Sequence, residues 1–265
     1  MKKYYLAVDI GASSGRHMLF WYEDGHIKME EIYRFGNSMS EKDGHLVWDV
    51  EKLYSEIIEG MKQACCIGKI PCSISIDTWA VDYVLLDKND EILGDVYAYR
   101  NSRTDGMDEE VYRFISEKNL YERTGIQFQK FNTIFQLMAD KKYRPEVLDK
   151  AECFLMIPDY LLYRLTGKKS SEYTNATSTQ LINVKRHAWD YDLMKKLGIP
   201  ERIFIPPEEA GSSMGMLKAE IADEVGFNCE VVKCASHDTA SAVMSVIDNE
   251  KIYIYIRNNT MFCRM

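Results

Sequence analysis

The chain has 265 residues, 46% of them hydrophobic, which suffices for one large buried core or two smaller ones and excludes a disordered protein. A formal net charge of -8 and a pI near 5.3, with no cluster of Lys and Arg, argue against nucleic acid or an anionic membrane surface as a partner, so any phosphate must be handled by a local site. Seven cysteines, including the adjacent Cys65-Cys66, show neither CxxC pairs nor a companion His pattern; they read as reduced thiols of a cytoplasmic protein. No run approaches 18 uninterrupted apolar residues, and the N-terminus enters a strand directly, so neither a membrane span nor a signal peptide is expected.

The chain opens on strands. Residues 5–9, 17–22 and 27–35 alternate or run apolar and are separated by turn residues, Gly11 to Gly15 and then Glu23-Asp24-Gly25, which predicts an antiparallel meander. Asp49 is placed to N-cap a helix reaching about Gln63, with Leu53, Ile57, Met61 and Ala64 on one face. Residues 73–76 and 83–86 then return to the sheet. From about 101 to 228 the pattern is mainly helical, with helices expected near 105–117, 133–142, 158–166, 191–196 and 219–225. Pro158 opens the third of these and Gly167 caps it. Residues 229–234 form a strand that delivers Ser236-His237-Asp238-Thr239 to the start of a helix over 237–246.

Two segments carry chemistry. The first is Asp9-Ile10-Gly11-Ala12-Ser13-Ser14-Gly15-Arg16, an acidic strand end followed by a Gly/Ser turn. Glycine lets backbone N–H groups approach phosphate oxygens, the serines add hydroxyl donors and an Arg follows; a plain hairpin turn is the competing reading. It is not a Walker loop, because no Gly-Lys-Ser/Thr follows and the next element is a strand. The second is Ser236-His237-Asp238-Thr239, where Asp238 either serves as a general base at a helix N-terminus or merely caps that helix.

These two segments have company, in order along the chain. Ile76-Asp77-Thr78-Trp79-Ala80-Val81-Asp82, Tyr99-Arg100-Asn101-Ser102-Arg103-Thr104, Met156-Ile157-Pro158-Asp159-Tyr160 and Tyr173-Thr174-Asn175-Ala176-Thr177 lie between them. Together they resemble the FGGY carbohydrate kinases, over nearly everything from residue 4 to about 250. The resemblance implies an α/β fold: a ribonuclease-H-like domain of the actin and hexokinase ATPase type with a largely helical insertion at about 101–228. It implies ATP-dependent phosphorylation of the 1-hydroxyl of L-rhamnulose, with fuculose or xylulose as alternative ketoses and a non-catalytic sugar-binding module as the rival reading. Asp238 is then the catalytic base, and Ala80, His237, Asp238 and Thr239 contact the sugar. Relatives usually carry Gly at the Ala80 position. Ala12, Ser13, Ser14, Gly15 and Arg16 take the nucleotide phosphates.

The implied cofactors are ATP and Mg2+. No residue is assigned as a direct metal ligand: Asp9 either holds Mg2+ through water or closes its hairpin. Trp79 either walls the pocket or belongs to the core, and Arg100 and Arg103 either line the sugar cleft or form structural ion pairs. The family carries a second domain with the adenine pocket, so residues 1–247 are expected to be the first domain and 248–265 an aberrant start of the second. Arg257-Asn258-Asn259 stands where the family keeps a Ser-Gly-Thr turn, and a shifted reading frame would account for it. A chain ending there is expected to be nearly inactive and to grip nucleotide weakly, unless a separate C-terminal half completes it.

Overall fold

The computed structural model describes residues 2–245, so the expectations for 248–265 lie outside the described residues. Strands β1 (Tyr4–Ile10), β2 (Ser14–Glu23) and β3 (His26–Gly36) form the expected meander, antiparallel throughout. Asp49 caps α1 (Val50–Cys66) as expected: its carboxylate accepts the Lys52 N–H at 2.9 Å. Strand β4 (Pro71–Asp77) then runs parallel to β1, pairing Asp9 with Asp77 at the same end of the sheet.

Strand β5 (Tyr83–Leu86) corrects the sequence expectation. It does not return to the main sheet but pairs antiparallel with β6 (Cys153–Met156) in a ribbon of its own. Val84, Leu86 and Leu155 point into one core, while Tyr83, Leu85, Phe154 and Met156 point into a second. Both strands are buried on both faces, so their sequences read as unbroken apolar runs whose partner cannot be told from periodicity.

The second core gathers Ile134, Phe135 and Leu137 of helix α2 (Thr133–Tyr143) with Trp189 and Phe204. The helix expected over 105–117 is instead two: Met107–Tyr112 ends, and Ser116 N-caps a new helix at Glu117–Thr124 by accepting the Asn119 N–H. Helix α3 (Ile157–Thr166) ends at Gly167, whose φ of 75° needs glycine.

Strands β7 (Ser213–Met216) and β8 (Glu230–Val232) complete a six-stranded sheet in the order β7-β8-β4-β1-β2-β3, with β8 parallel to β4. This is the mixed, ribonuclease-H-like α/β topology. Helices α1 and α3 pack on one face, where Leu53, Ile57, Leu161 and Leu165 meet Leu6, Val8, Ile74, Ile76 and Val231. The other face presents Tyr5, Tyr22 and Met29 to solvent. Among the described residues, no helix is long and apolar enough to cross a membrane.

His17 and Gly60 lock α1 to the sheet. A Cβ at Gly60 would stand 2.3 Å from the His17 ring, so Gly60→Ala is expected to cost about 1–3 kcal/mol through overpacking, read as a lower urea midpoint. The fully buried ring of His17 lies with Nε2 3.2 Å from the Ile57 carbonyl, and Nδ1 has no hydrogen-bond partner among the described residues. Burial, opposed by that carbonyl, lowers its pKa to about 4. The folded state therefore favours the neutral ring. Its contribution is fully present above the unfolded value of about 6.5 and is lost as pH falls through about 4. Subtracting the urea midpoints of His17→Leu from those of the wild type, between pH 7 and 4, should reveal this loss; a flat difference would contradict it.

Candidate active site

The ends of β1 and β4 and the N-terminus of helix α5 (Asp238–Met244) converge. Carboxylate oxygens of Asp9, Asp77 and Asp238 all lie within 4.8 Å of one another, each side chain part-buried. Two backbone hydrogen bonds hold α5 there: Thr78 N–H to Ser236 C=O at 3.2 Å and Asp238 N–H to Thr78 C=O at 3.0 Å. The parallel pairing of β8 with β4 is thus extended to the bridge Thr78–His237, which sets the Ser236–Asp238 loop beside the β4 end.

Burial is the largest influence on Asp77, followed by an opposing hydrogen bond with Ser241 and by repulsion from Asp9 and Asp238; its pKa rises to about 7. A hard divalent cation such as Mg2+ suits an all-oxygen donor set of this kind and would relieve the repulsion. Asp77 was missed in the sequence, although an apolar strand ending in Asp, Ile74-Ser75-Ile76-Asp77, repeats the pattern of Leu6-Ala7-Val8-Asp9.

The Ser236–Asp238 loop is anchored from below by the fully buried Glu172, which precedes helix α4 (Tyr173–Thr177). Glu172 Oε2 accepts the Ser236 N–H at 3.1 Å and the Ser236 hydroxyl at 2.9 Å. Burial pushes His237 down to about 4, against the opposing pull of Glu172 and a hydrogen bond with the Thr174 backbone, so its imidazole is neutral near pH 7.

The Gly/Ser turn lies beside this cluster. Gly11 N–H donates to Ser14 C=O at 2.9 Å, and Asn37 ties the turn to β3 through its side-chain amide, which donates to Gly11 C=O at 2.9 Å. Ser13 is exposed, Ala12 and Ser14 are part-buried and Gly15 is buried. Gly15 owes its identity to packing as well as to any ligand, since a Cβ there would stand 2.1 Å from the Phe35 ring. Arg16 reaches back to Asp9, N to O 2.8 Å.

Ala80 is part-buried, two residues beyond the bridged Thr78. Its neighbour Val81 holds a left-handed φ of 71°, a costly conformation for a β-branched residue. The Thr133 hydroxyl and the Gln136 amide fix the Val81 carbonyl at 2.7 and 3.2 Å. Asp82, fully enclosed and also missed in the sequence, accepts from both Trp48 and Trp79 indoles at 2.7 and 2.9 Å and from the Tyr99 N–H at 3.0 Å. Burial raises its pKa to about 6 against those hydrogen bonds. Trp79 belongs to the core, its ring 4.0 Å from that of Trp48. Arg103 is a structural cation, buried against Asp140 at 2.5 Å, whereas Arg100 is exposed and rests on Tyr99.

This fold is that of sugar kinases of the actin and hexokinase type. Residues 4–245 match the FGGY family of carbohydrate kinases, N-terminal domain, and the chain belongs to that family. It is 48% identical over 260 residues to a rhamnulokinase of Oceanobacillus iheyensis, a match covering 98% of this chain and 55% of the relative. It is 40% identical to a rhamnulokinase of Bacillus subtilis over 97% of this chain and 52% of the relative. The chain thus spans about half the length of the curated relatives it matches. Among solved structures, gluconate kinase from Lactobacillus acidophilus superposes with a TM-score of 0.78 at 21% identity, over 90% of this chain and 48% of that one. Ligand-bound xylulose kinase from the same organism gives 0.77 at 21%, over 89% and 48%.

Proposed function

We propose that this chain is the sugar-side domain of a rhamnulokinase, which transfers the γ-phosphoryl group of ATP to the 1-hydroxyl of L-rhamnulose. The observation that carries this reading is the convergence of Asp238 with Asp9 and Asp77, next to His237 and Thr239, in a chain 40–51% identical to curated rhamnulokinases. Phosphoryl transfer to an alcohol needs an acceptor for the hydroxyl proton and positioned donors for the moving group.

Asp238 is the proton acceptor. Asp238 opens α5, and the positive end of a helix favours an anion there. His237, Thr239 and Ala80 contact the sugar. The neutral His237 offers the sugar no competing charge, and its Thr174 contact holds the ring in place. Ala12, Ser13, Ser14, Gly15 and Arg16 bind the nucleotide phosphates, with Arg16 released from Asp9 or bridging from it. Mg2+ bound with ATP would be held by Asp9, directly or through water, with Asp77 beside it. There it would neutralise phosphate charge. Residues 1–247 form the first domain, and a C-terminal half, separate or continuous, would add the remaining wall of the cleft.

An ADP-release assay tests the reading. The chain is mixed with the second half of the Oceanobacillus relative and offered L-rhamnulose, fuculose or xylulose. ADP release with L-rhamnulose in preference to the others, and little or none from the chain alone, is expected. Preference for another ketose moves the substrate assignment. Sugar binding without turnover in the completed protein would make this a binding module.

A further inference from the structure

We propose that Glu172 is a positioning residue for the reaction above: a buried clamp that holds Ser236-His237-Asp238 in the geometry needed for sugar binding and proton transfer. The inference rests on the functional reading just given, but its geometry stands alone. Glu172 is fully buried, yet its carboxylate meets five donors. Oε1 accepts the Thr174 N–H at 2.8 Å; Oε2 accepts the Thr174 hydroxyl at 2.7 Å, the Asn175 N–H at 2.9 Å, and the N–H and hydroxyl of Ser236.

One carboxylate therefore ties the start of α4 to the residue two places before Asp238. The Asn175 side-chain amide adds a weaker tie to the Ser236 carbonyl at 3.4 Å. Across the loop, Thr78 grips both Ser236 and Asp238. The base loop is thus clamped between β4 and Glu172, and the same first turn of α4 supplies the Thr174 backbone to the His237 ring.

The clamp is itself fixed. Both Asp159 oxygens accept the Glu172 N–H, at 3.1 and 3.3 Å, and Asp159 is fully buried. Beside them the fully buried Lys233 donates to the Ser170 hydroxyl at 2.6 Å and pairs with Glu208. A helix cap needs one or two acceptor contacts; three of the five here serve α4 and the other two serve the base loop. Only a carboxylate accepts on both oxygens. A glutamine of the same shape would turn an NH2 toward N–H or O–H donors on one side.

Glu172→Gln in the full chain tests this by hydrogen exchange of the peptide around Ser236 and by calorimetry with L-rhamnulose. Exchange at Ser236 and Asp238 should quicken at least about tenfold while peptides within β1 and β4 keep the wild-type rate, and sugar affinity should fall about tenfold or more. Unchanged exchange around Ser236 overturns the proposal. So does a uniform acceleration across the sheet, which would make Glu172 a stabilising residue only. If Glu172→Gln does not fold, Ser236→Ala and Thr174→Val each remove one hydroxyl contact to the clamp. The first should then quicken exchange at Asp238 and the second at Ser236, and no change in either overturns the proposal. A wild-type chain that fails to bind L-rhamnulose counts against the substrate reading, while the exchange comparison still decides the clamp.

Discussion

Asp238→Asn, in the chain completed by a relative's second half, is expected to lower kcat by about a hundred- to ten-thousand-fold with little change in KM. The amide keeps the volume of the carboxylate and a place for the sugar hydroxyl, but it cannot take the proton as the phosphoryl group arrives. The backbone of residue 238 is held by Thr78, so the substituted side chain starts from the same position at the head of α5. Coupled assays across a range of sugar concentrations separate the two parameters. A kcat within threefold of wild type would show that another group accepts the proton, and the neighbouring Asp77 would be examined next. A large rise in KM with kcat intact would make Asp238 a binding group.

The largest expected loss of stability follows from Asp140→Ala. Asp140 on α2 is fully buried and lies between two guanidinium groups: Arg103 at 2.5 Å and Arg144 at 2.6 Å, with the Tyr83 hydroxyl donating to its other oxygen. Arg103 also donates to the Gln136 carbonyl at 3.0 Å, and Gln136 donates to Asp82 at 3.0 Å. The cluster therefore reaches the Trp48–Trp79 pair through Asp82. Removing the only anion bonded to Arg103 among the described residues leaves a buried, uncompensated cation, a change that costs about 3–5 kcal/mol. For a chain of this size that corresponds to a fall in melting temperature of roughly 6–20 °C. Arg103→Met added to Asp140→Leu should recover much of it, because the pair is then replaced by apolar groups. A loss below about 1 kcal/mol in the single variant would show that water reaches the cluster.

Local features were legible in the sequence because they depend on neighbours along the chain. The meander, the Asp49 cap, the helix over Ala219–Val225 and the Gly167 stop all follow from periodicity and capping chemistry. The partner of Tyr83–Leu86 was not legible, since a strand buried on both faces carries no mark of which sheet it joins. The same division runs through the site. Asp9 and Asp238 stand in recognisable motifs at element ends. Asp77, Asp82 and Glu172 gain their character from what faces them across the fold: two other carboxylates, two indoles, and a loop 64 residues further along. Trp79 shows the limit of reading by residue type, because an aromatic beside a motif suits a ligand pocket and a core equally until its indole is seen bonded to Asp82.

The parallel pairing of Glu230 with Ser73 joins segments made more than 150 residues apart. On a ribosome adding about 5–20 residues per second, β4 waits roughly 8–30 s for the strand that closes its outer edge. During that interval Ile74 and Ile76 lie on a strand whose backbone donors and acceptors are open on one side, a template for wrong pairing with other chains. Long-range parallel contacts are also slow to form once both partners exist. Among the described residues, the candidate site is therefore expected to assemble last. Nascent-chain lengths that stop short of Val232 should be captured by chaperones, and those that extend past it by enough to clear the exit tunnel should be released.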